Sequence, residues 1–494
     1  MSKTINLMNR LSHIVLYVFL TGICTIKAQE YPQVIFPGDY PDPSILRDGK
    51  DFYMTHSSFS YSPGFLIWHS RDLVNWEPVC RVKGTGMAPD LVKYEDTYYL
   101  YYPWGSTNYV TYAKDIRGPW SKPVNLNVKG IDPGHIVDRD GNRYLHLSEG
   151  TAVRLSKDGL SVVGEPTTVY EGWQYPPDWD VECFCLESPK LTYRNGFYYL
   201  TSAEGGTAGP ATSHMAVSAR SKSITGPWEN SPYNPIVHTY SSDDEWWSKG
   251  HATIFDDADG NWWIVYHAYK KDMHTLGRST LLEPLEWTSD GWFKTKETAH
   301  LPEIANDKPR HLVSDISDDF TSDEINLRWA TLGGTPKGCT KLHDGILTLQ
   351  GKGGTPADGR VLLAIPADEN YETQVEFELK DSETSGGLLL FYKPVAFAGI
   401  TCNKGNVKLY RSPDNFSEIP NEIGARMHLK IINKRNICSF YISTDGNKWN
   451  LLASDVDVKD MNHNKYNGFR SLRIALYAGG TGTVDFKNFI YKKL

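Results

Sequence analysis

LESPKLTYRNGFYYL, at residues 186–200, contains in order an acidic residue, a short mixed run, an Asn-Gly pair and an aromatic run. Asn-Gly between two such runs is a strong β-hairpin signal, because the tight hairpin turn requires positive φ at its central residues. The stretch therefore predicts two antiparallel strands, with Glu187 at the start of the first strand.

The same arrangement occurs four more times between about Val34 and Pro302, and each copy opens with an acidic residue or a histidine. The other copies are YPDPSILRDGKDFYM at 40–54, MAPDLVKYEDTYYL at 87–100, IDPGHIVDRDGNRYLH at 131–146 and KGHATIFDDADGNWWIVY at 249–266. Five repeats of about 50 residues, each rich in β-hairpins, predict a five-bladed β-propeller. The innermost strand of each blade lines the central channel, so we expect the opening residues to converge on the axis. They are Asp42, Asp90, Asp132, Glu187 and His251.

The pattern changes after about His311, where short alternating segments separated by turns replace the repeats. Residues 375–379 alternate between apolar and acidic side chains, and Asp445-Gly446-Asn447 is a hairpin turn sequence. This pattern predicts an antiparallel β-sandwich, which makes the whole chain all-β. The predicted domains are a propeller at 31–302, a linker at 303–314 and a sandwich at 315–494.

Composition indicates a globular protein, since 40% of the 494 residues are hydrophobic and 22% are charged. The formal net charge of −8 disfavours a nucleic acid or an anionic membrane as the partner. The sequence leaves the oligomeric state open.

The N-terminus has the features of a secretory signal peptide over residues 1–28. Lys3 and Arg10 precede an apolar stretch at 14–26, and Ala28 offers a small residue for cleavage. We therefore expect a protein that is secreted or periplasmic. The apolar stretch is short for a membrane span. Cys24 raises the alternative of a lipoprotein, which the bulky Ile23 before it disfavours.

Six cysteines remain after the predicted cleavage, and their spacing indicates neither a disulfide framework nor a zinc site. Cys183 and Cys185 are separated by one residue, which we interpret as too close for an ordinary unstrained bridge. Buried free thiols are the default expectation for most of the six. They are Cys80, Cys183, Cys185, Cys339, Cys402 and Cys438.

Taken together and in this order, the motifs of the repeats resemble glycoside hydrolase family 43. The C-terminal half resembles the concanavalin-A-like sandwich that follows the propeller in many of these enzymes. Met87 departs from the pattern, because many relatives carry Trp there. The motifs are DYPDPS at 39–44, Pro63-Gly64, HSRDLVNW at 69–76, Ala88-Pro89-Asp90, Ile131-Asp132-Pro133, Glu187-Ser188-Pro189, Gly250-His251-Ala252 and Gly277-Arg278.

The resemblance implies an inverting exo-glycosidase that removes terminal pentoses from plant-type glycans such as xylan or arabinan. Such an enzyme is a β-D-xylosidase, an α-L-arabinofuranosidase or both, and it requires no cofactor. Inversion needs two carboxyl groups in opposite protonation states, about 6.5–9.5 Å apart. The resemblance assigns Asp42 as general base and Glu187 as general acid. It assigns Asp132 the role of orienting Glu187 and raising its pKa.

Five further residues are candidates for contact with the sugar: Phe59, Asp90, Trp104, His251 and Arg278. Phe59, the nearby Tyr61 and Trp104 follow aromatic strands, so each of them either forms an aromatic wall of the sugar pocket or packs in a core. Asp90 is either structural or in contact with substrate. The guanidinium of Arg278 suits either sugar hydroxyls or a carboxylate.

His251 has three interpretations: a core histidine, a direct contact to the sugar, or a ligand that holds a water or a metal ion at the centre of the channel. Ca²⁺ prefers oxygen ligands, so a structural Ca²⁺ near His251 would be weakly bound.

Two other functions remain open. One is an exo-acting galactosidase of the same family. The other is a carbohydrate-binding propeller without catalysis, for which loss of the acid at 42 or 187 would be diagnostic, and both acids are present. Whether the sandwich itself binds glycan is left open, and by analogy with related two-domain xylosidases it could close one side of the sugar pocket.

Overall fold

The computed structural model describes residues 31–296, 313–412 and 414–494. The predicted signal peptide and nearly all of the predicted linker lie outside these residues. The described chain is almost entirely β, with a five-bladed propeller followed by a two-sheet sandwich, so the predicted fold class is confirmed.

The first three blades are four-stranded antiparallel sheets whose first strand is innermost. Strand β1 (Gln33–Phe36) precedes them. The first blade contains β2 (Ser44–Asp48), β3 (Asp51–Thr55), β5 (Gly64–Ser70) and β6 (Glu77–Lys83), and β4 (Tyr61–Ser62) leaves it between β3 and β5. The second contains β7 (Asp90–Tyr94), β8 (Thr97–Trp104), β9 (Thr107–Ala113) and β10 (Val124–Asn125). The third contains β11 (Gly134–Val137), β12 (Arg143–Leu147), β13 (Thr151–Leu155) and β14 (Val162–Thr168).

The last two blades each have an additional short strand. The fourth contains β15 (Glu187–Arg194), β16 (Phe197–Glu204), β17 (Met215–Ser221), β18 (Glu229–Asn230) and β19 (Val237–His238). The fifth contains β20 (Trp246–Asp256), β21 (Trp262–Lys270), a 3-10 helix (His274–Leu276), β22 (Arg278–Trp287) and β23 (Phe293–Thr295).

The hairpin that the sequence predicts at 186–200 is present. Arg194 pairs with Phe197 across the turn, and Asn195 and Gly196 both have positive φ, at 50° and 88°. These are the residue types that tolerate this conformation at low cost, so local chemistry sets the register of the fourth blade.

Strand β1 closes the propeller ring, because it pairs with β22 in the fifth blade rather than with the first blade. Val34 lies opposite Leu281, and Phe36 lies opposite Thr280. Hydrogen bonds between the two ends of the domain therefore hold the ring together.

The sandwich has one sheet with the order β32-β31-β30-β29-β36-β27-β24-β4 and a second with the order β25-β26-β37-β28-β33-β34-β35. Apolar side chains from both sheets, including Leu347, Leu388 and Leu429, fill its core. Its elements are β24 (Ala330–Leu332), a 3-10 helix (Pro336–Gly338), β25 (Thr340–His343), β26 (Ile346–Gln350), β27 (Arg360–Ala364), β28 (Asn370–Leu379), β29 (Thr384–Lys393), β30 (Ala396–Cys402), β31 (Asn406–Arg411), β32 (Asp414–Pro420), β33 (Arg426–Lys434), β34 (Ile437–Ser443), β35 (Asn450–Asp457), α1 (His463–Tyr466), β36 (Arg473–Gly480) and β37 (Thr483–Lys493).

The two domains share a sheet. Strand β4 belongs to the propeller by sequence but pairs with β24 of the sandwich, with Ser62 opposite Thr331. Phe59 and Tyr61 pack beside this junction against apolar residues of the sandwich, such as Leu389. The interface between the domains is therefore continuous with the apolar packing on one sheet of the sandwich.

Cys183 and Cys185 form a disulfide bond, so the expectation of free thiols was wrong for this pair. Their Cα atoms are 5.4 Å apart, which lies within the usual range for a bridge. Cys80, Cys339, Cys402 and Cys438 are free, and the last three are buried as expected. In the described ranges, no helix has both the length and the apolar character needed to cross a membrane.

Candidate active site

The five opening residues occupy equivalent places at the innermost strands. Asp90 and Glu187 begin β7 and β15, Asp42 and Asp132 lie two residues before β2 and β11, and His251 lies within β20. Four of the five are buried, and Glu187 is partly exposed.

Three of these residues meet on the axis around His251. Its Nδ1 lies 3.5 Å from Asp42 Oδ1 and 3.8 Å from Asp132 Oδ2. One ligand atom from each of Asp132, Glu187 and His251 lies within 4.8 Å of the other two. The repeats therefore bring together acids that are far apart in the sequence.

Three of the opening residues share an unusual backbone conformation, which orients their side chains. Asp42, Asp132 and His251 have φ values of 58°, 56° and 55°, in the left-handed region that non-glycine residues seldom adopt. Such conformations persist only where surrounding structure imposes them, and they concentrate at functional sites. Their recurrence at equivalent positions in three blades indicates a site built by the repeat itself.

Asp42 is held as a carboxylate. Arg278 Nη1 lies 3.1 Å from its Oδ1, and Ser57 Oγ donates a hydrogen bond to its Oδ2. Burial alone would raise the pKa of Asp42, but Arg278, His251 and His267 together hold it well below the usual range. Ser57 also accepts a hydrogen bond of 2.6 Å from Ala88 N, which fixes the hydroxyl.

His267 supports Asp42 from β21. Its Nδ1 lies 3.0 Å from Asp42 Oδ1 and 3.1 Å from Asp42 N, and its Nε2 lies 3.2 Å from Thr207 Oγ1. Burial, together with the nearby Arg278, holds the pKa of His267 well below its usual value, so the ring is neutral. The sequence analysis missed this residue, and the only signal was a polar side chain inside the apolar run of β21.

Glu187 differs from Asp42 in that its surroundings favour the protonated form of its carboxyl group. Burial and then the charges of Asp132 and Asp42 raise the pKa of Glu187 well above its usual value, against the opposing effect of Arg278. Its carboxyl group therefore favours the protonated form more strongly than an exposed glutamate does. The axial site thus favours the ionised form of Asp42 and the protonated form of Glu187.

Asp132 lies beside this pair and contacts the chain that carries Glu187. Its Oδ2 accepts a hydrogen bond of 3.2 Å from Ser188 N. Burial and the charge of Asp42 raise the pKa of Asp132 to about 7. Asp132 therefore acts on Glu187 through its electrostatic field and through the backbone of the next residue.

The contacts of Asp90 favour its structural interpretation. Lys190 Nζ lies 2.8 Å from Oδ1, and His135 N donates a hydrogen bond of 2.7 Å to Oδ2. Lys190 also bonds the carbonyl of Pro133 at 2.9 Å. Both oxygens of Asp90 are therefore occupied by contacts that join the second, third and fourth blades.

The two candidate aromatic walls differ in exposure. Phe59 is 3% exposed and packs, with Tyr61, against the sandwich, which favours the core-packing alternative for this residue. The leucine-rich face of the sandwich provides the packing partner that the sequence did not reveal. Trp104 ends β8 with 47% of its surface exposed, and Met87 is 42% exposed. Both remain available to a ligand.

The sandwich contributes an aromatic residue next to Arg278. The ring centroid of Phe469 lies 5.5 Å from Arg278 Cζ. His463 stacks on Phe469 with 3.7 Å between ring centroids, and its Nδ1 accepts a hydrogen bond of 2.9 Å from Phe469 N. The site is thus composite, and the sequence analysis did not identify Phe469.

The residues around His251 fit a Ca²⁺ ion poorly. One potential ligand group within the described ranges is Asp42, His251 and His267, and it offers a single carboxylate that already contacts Arg278. The other is Asp132, Glu187 and His251, in which burial and the nearby carboxylates favour the protonated form of Glu187. Ca²⁺ takes six to eight oxygen ligands, which neither group approaches.

Comparison with known proteins gives matches for both domains. Residues 31–293 match the family described as "Glycosyl hydrolases family 43". Residues 317–492 match the "Beta xylosidase C-terminal Concanavalin A-like domain".

Similar proteins have matching lengths and folds. The "Xylosidase/arabinosidase 43B" of Humicola insolens is 27% identical over 93% of this chain and 98% of that protein. The "Non-reducing end alpha-L-arabinofuranosidase BoGH43B" of Bacteroides ovatus is 32% identical over 62% of this chain and 61% of its own length. The crystal structure of the GH43 protein BlXynB from Bacillus licheniformis, 26% identical, superposes with a TM-score of 0.85 over 94% of this chain and all of that one.

Proposed function

This chain belongs to glycosyl hydrolase family 43 and is a glycoside hydrolase, and on that premise we propose that it removes single terminal pentoses by inversion. The proposed substrates are β-D-xylosides, α-L-arabinofuranosides or both, at the non-reducing ends of oligosaccharides or polysaccharides such as xylan and arabinan. We further propose that the protein acts outside the cytoplasm.

The opposite protonation of Asp42 and Glu187 carries the proposal. An ionised Asp42 removes a proton from a water molecule as that water attacks the anomeric carbon. A protonated Glu187 gives its proton to the leaving oxygen on the opposite face of the sugar. These are the two proton transfers that single-step inversion requires.

Neighbouring residues keep each acid in its role. Ser57, Arg278 and His267 orient the Asp42 carboxylate and stabilise its charge. Asp132 raises the pKa of Glu187 and so keeps the proton available for transfer. The two catalytic carboxyl groups are therefore positioned before the substrate binds. This lowers the free energy needed to reach the transition state.

Similarity to named enzymes supports a pentose substrate. The Humicola insolens relative is named a xylosidase/arabinosidase, a Vibrio relative at 26% identity a xylan 1,3-β-xylosidase, and the Bacteroides ovatus relative a non-reducing end α-L-arabinofuranosidase. Phe469 from the sandwich beside Arg278 supports an exo mode, because it places a second domain at the edge of the axial site.

The principal test is hydrolysis of 4-nitrophenyl β-D-xyloside and 4-nitrophenyl α-L-arabinofuranoside by purified residues 29–494. We expect release from at least one substrate and its loss in Asp42→Asn. Glu286→Gln, at an acid 45% exposed on the fifth blade, is the matched control and should retain activity. Absence of release from both substrates by the unaltered enzyme would contradict the pentose assignment and move the search to galactosides.

Inversion is tested by proton NMR of the first product formed. An inverting enzyme releases α-D-xylose from a β-D-xyloside before mutarotation. Initial appearance of the β anomer would contradict the assignment of Asp42 as a base.

Export is tested by fractionating cells that express the full chain and determining the N-terminus of the product. Processing near Ala28 and recovery outside the cytoplasm would support the proposal. An unprocessed cytoplasmic protein in the native host would contradict it.

A further inference from the structure

A polar cavity of about 40 Å³ lies between the propeller and the sandwich, behind the segment that carries Asp42. Ser57 and Tyr40 line it from the propeller. Arg473, the first residue of β36, lines it from the sandwich. The cavity is therefore a second site, adjacent to the axial site but formed by both domains.

The charges that line this cavity do not balance. Arg473 Nη2 bonds Asp39 Oδ2 at 3.2 Å, and these two charges neutralise each other. Arg81 donates from Nε to Leu327 O at 2.6 Å and from Nη1 to Gly64 O at 2.7 Å. Among the residues that the structure describes, no carboxylate lies in contact with Arg81. Arg328 also lines the cavity, and its Nη1 donates a hydrogen bond to Asp315 O. The guanidinium of Arg81 is therefore the lining charge that only carbonyl oxygens contact in the described ranges.

Burial and the like charge of Arg473 lower the pKa of Arg81 to about 10, so it stays protonated near neutral pH. Charges taken out of water are ordinarily paired, because desolvation of an isolated charge is costly. An unbalanced guanidinium beside a polar cavity therefore indicates a missing anion.

Several donors next to the cavity have no acceptor within the described ranges. They include Trp68 Nε1, Arg473 Nε and the hydroxyl of Tyr61, on side chains that are at most 4% exposed. Indole and guanidinium nitrogens can only donate. Buried donors of this kind are ordinarily bonded, so they require an acceptor inside the cavity.

Two acceptors in the lining are also without a partner among the described residues: Asp39 Oδ1 and His56 Nδ1. Thr280 Oγ1 donates to Tyr40 O and so accepts from His56 Nε2, which leaves Nδ1 as the acceptor. A site of about 10–15 Å³ holds one water molecule, so the cavity has room for a small ion and roughly two waters. Such waters can satisfy these acceptors.

We propose that this cavity binds a monovalent inorganic anion of chloride size, held by Arg81, Arg473 and Trp68. The anion supplies the counter-charge of Arg81 and accepts the donors from both domains. It therefore contributes to the stability of the interface, and through Ser57 it borders the segment that orients Asp42. The anion site lies at the domain interface, and its occupancy does not depend on which sugar the enzyme cleaves.

The direct test is crystallography with anomalous scattering. Crystals of residues 29–494 grown in sodium bromide should show an anomalous peak within hydrogen-bonding distance of Arg81 and Arg473. Bromide peaks confined to the molecular surface would overturn the proposal and leave the cavity as a water site.

The solution test compares thermal unfolding in sodium chloride and in sodium gluconate at equal ionic strength. Gluconate is too large for the cavity, so Tm should rise with the logarithm of chloride concentration and stay flat in gluconate. Equal Tm values in the two salts would also overturn the proposal.

Two variants locate the effect. Arg81→Met should abolish the difference between the salts, whereas Arg71→Met, at an arginine whose side chain is 74% exposed, should keep it. If Arg81→Met fails to fold, Trp68→Phe removes a single donor and should move the chloride dependence to higher concentration. An unaltered dependence in Trp68→Phe would contradict the assigned ligands.

Discussion

Glu187 and Asp42 differ in protonation because their neighbours differ. Asp42 is buried and Glu187 is partly buried, and burial alone would favour the neutral form of each. Arg278 touches Asp42 directly, whereas Glu187 lies close to Asp132. Contact with a cation lowers one pKa, and proximity to a carboxylate raises the other.

Glu187→Gln should reduce kcat/KM on xylobiose by about 10²–10⁴-fold, because the leaving sugar then departs without a proton. The loss should be much smaller on 2,4-dinitrophenyl glycosides, whose leaving group needs no protonation. Steady-state kinetics on the two substrates measures the difference. Equal losses on both would count against Glu187 as the acid.

Asp132→Asn should change both stability and activity with pH. The folded-state pKa of about 7 lies above the ordinary 3.8, so the contribution of Asp132 to stability is fully present below pH 3.8 and is lost progressively as pH rises from there to about 7. The variant should therefore gain Tm relative to the unaltered enzyme between pH 5 and 8. Removing the charge of Asp132 also lowers the pKa of Glu187, so the alkaline limb of kcat/KM should move to lower pH.

Glu204 provides a matched control for this prediction. It is fully buried, and burial raises its pKa to about 8, although Trp173 N donates a hydrogen bond of 2.5 Å to it. Glu204→Gln should alter the dependence of Tm on pH without moving the alkaline limb of kcat/KM. A shift of that limb in Glu204→Gln but not in Asp132→Asn would contradict the role of Asp132.

Among the secondary-structure elements, the hairpins were predictable from the sequence, whereas pairing between strands remote in the chain was not. Asn195-Gly196 and the other turn pairs encode their conformation locally, so the blades and the order of the axial residues follow from sequence. Strand β4 has two residues and pairs with β24, which is remote in the chain. Nothing local specifies such a pairing, and the contacts of Phe59 with the sandwich depend on it.

The same reasoning explains which site residues were missed. Ser57, His267 and Phe469 have no motif of their own, and they reach the site through the turn after β3, the interior of β21 and a loop of the sandwich. Their roles follow from tertiary contacts alone. Asp42, Asp132, Glu187 and His251 stood out because the repeat places them at equivalent positions.

Phe469→Ala should lower kcat/KM without unfolding the protein. The ring packs between His463 and Arg278, so its loss loosens the support of the guanidinium that contacts Asp42. We expect a decrease in kcat/KM of roughly tenfold, the size of an aromatic contact. Phe416→Ala, at a sandwich residue 45% exposed, is the control and should leave kcat/KM unaltered.

For the whole molecule, the shared sheet and the apolar cluster of Phe59 and Tyr61 couple the two domains. Calorimetry of residues 29–494 should therefore show one unfolding transition, because separation of the domains exposes the edge of a sheet and a buried apolar face. Residues 31–296 expressed alone should aggregate. Two well-separated transitions, or a stable and active propeller fragment, would contradict this coupling.

The closure of the ring by β1 also has a consequence for the timing of synthesis. Gly38 N bonds Ser279 Oγ across 241 residues, so the first strand to leave the ribosome acquires its partner only after four blades have been made. At 5–20 residues per second, this interval is roughly ten to fifty seconds. Throughout it, the nascent propeller remains an open arc with two unpaired ends, and the last blade made is the one that turns the arc into a circle.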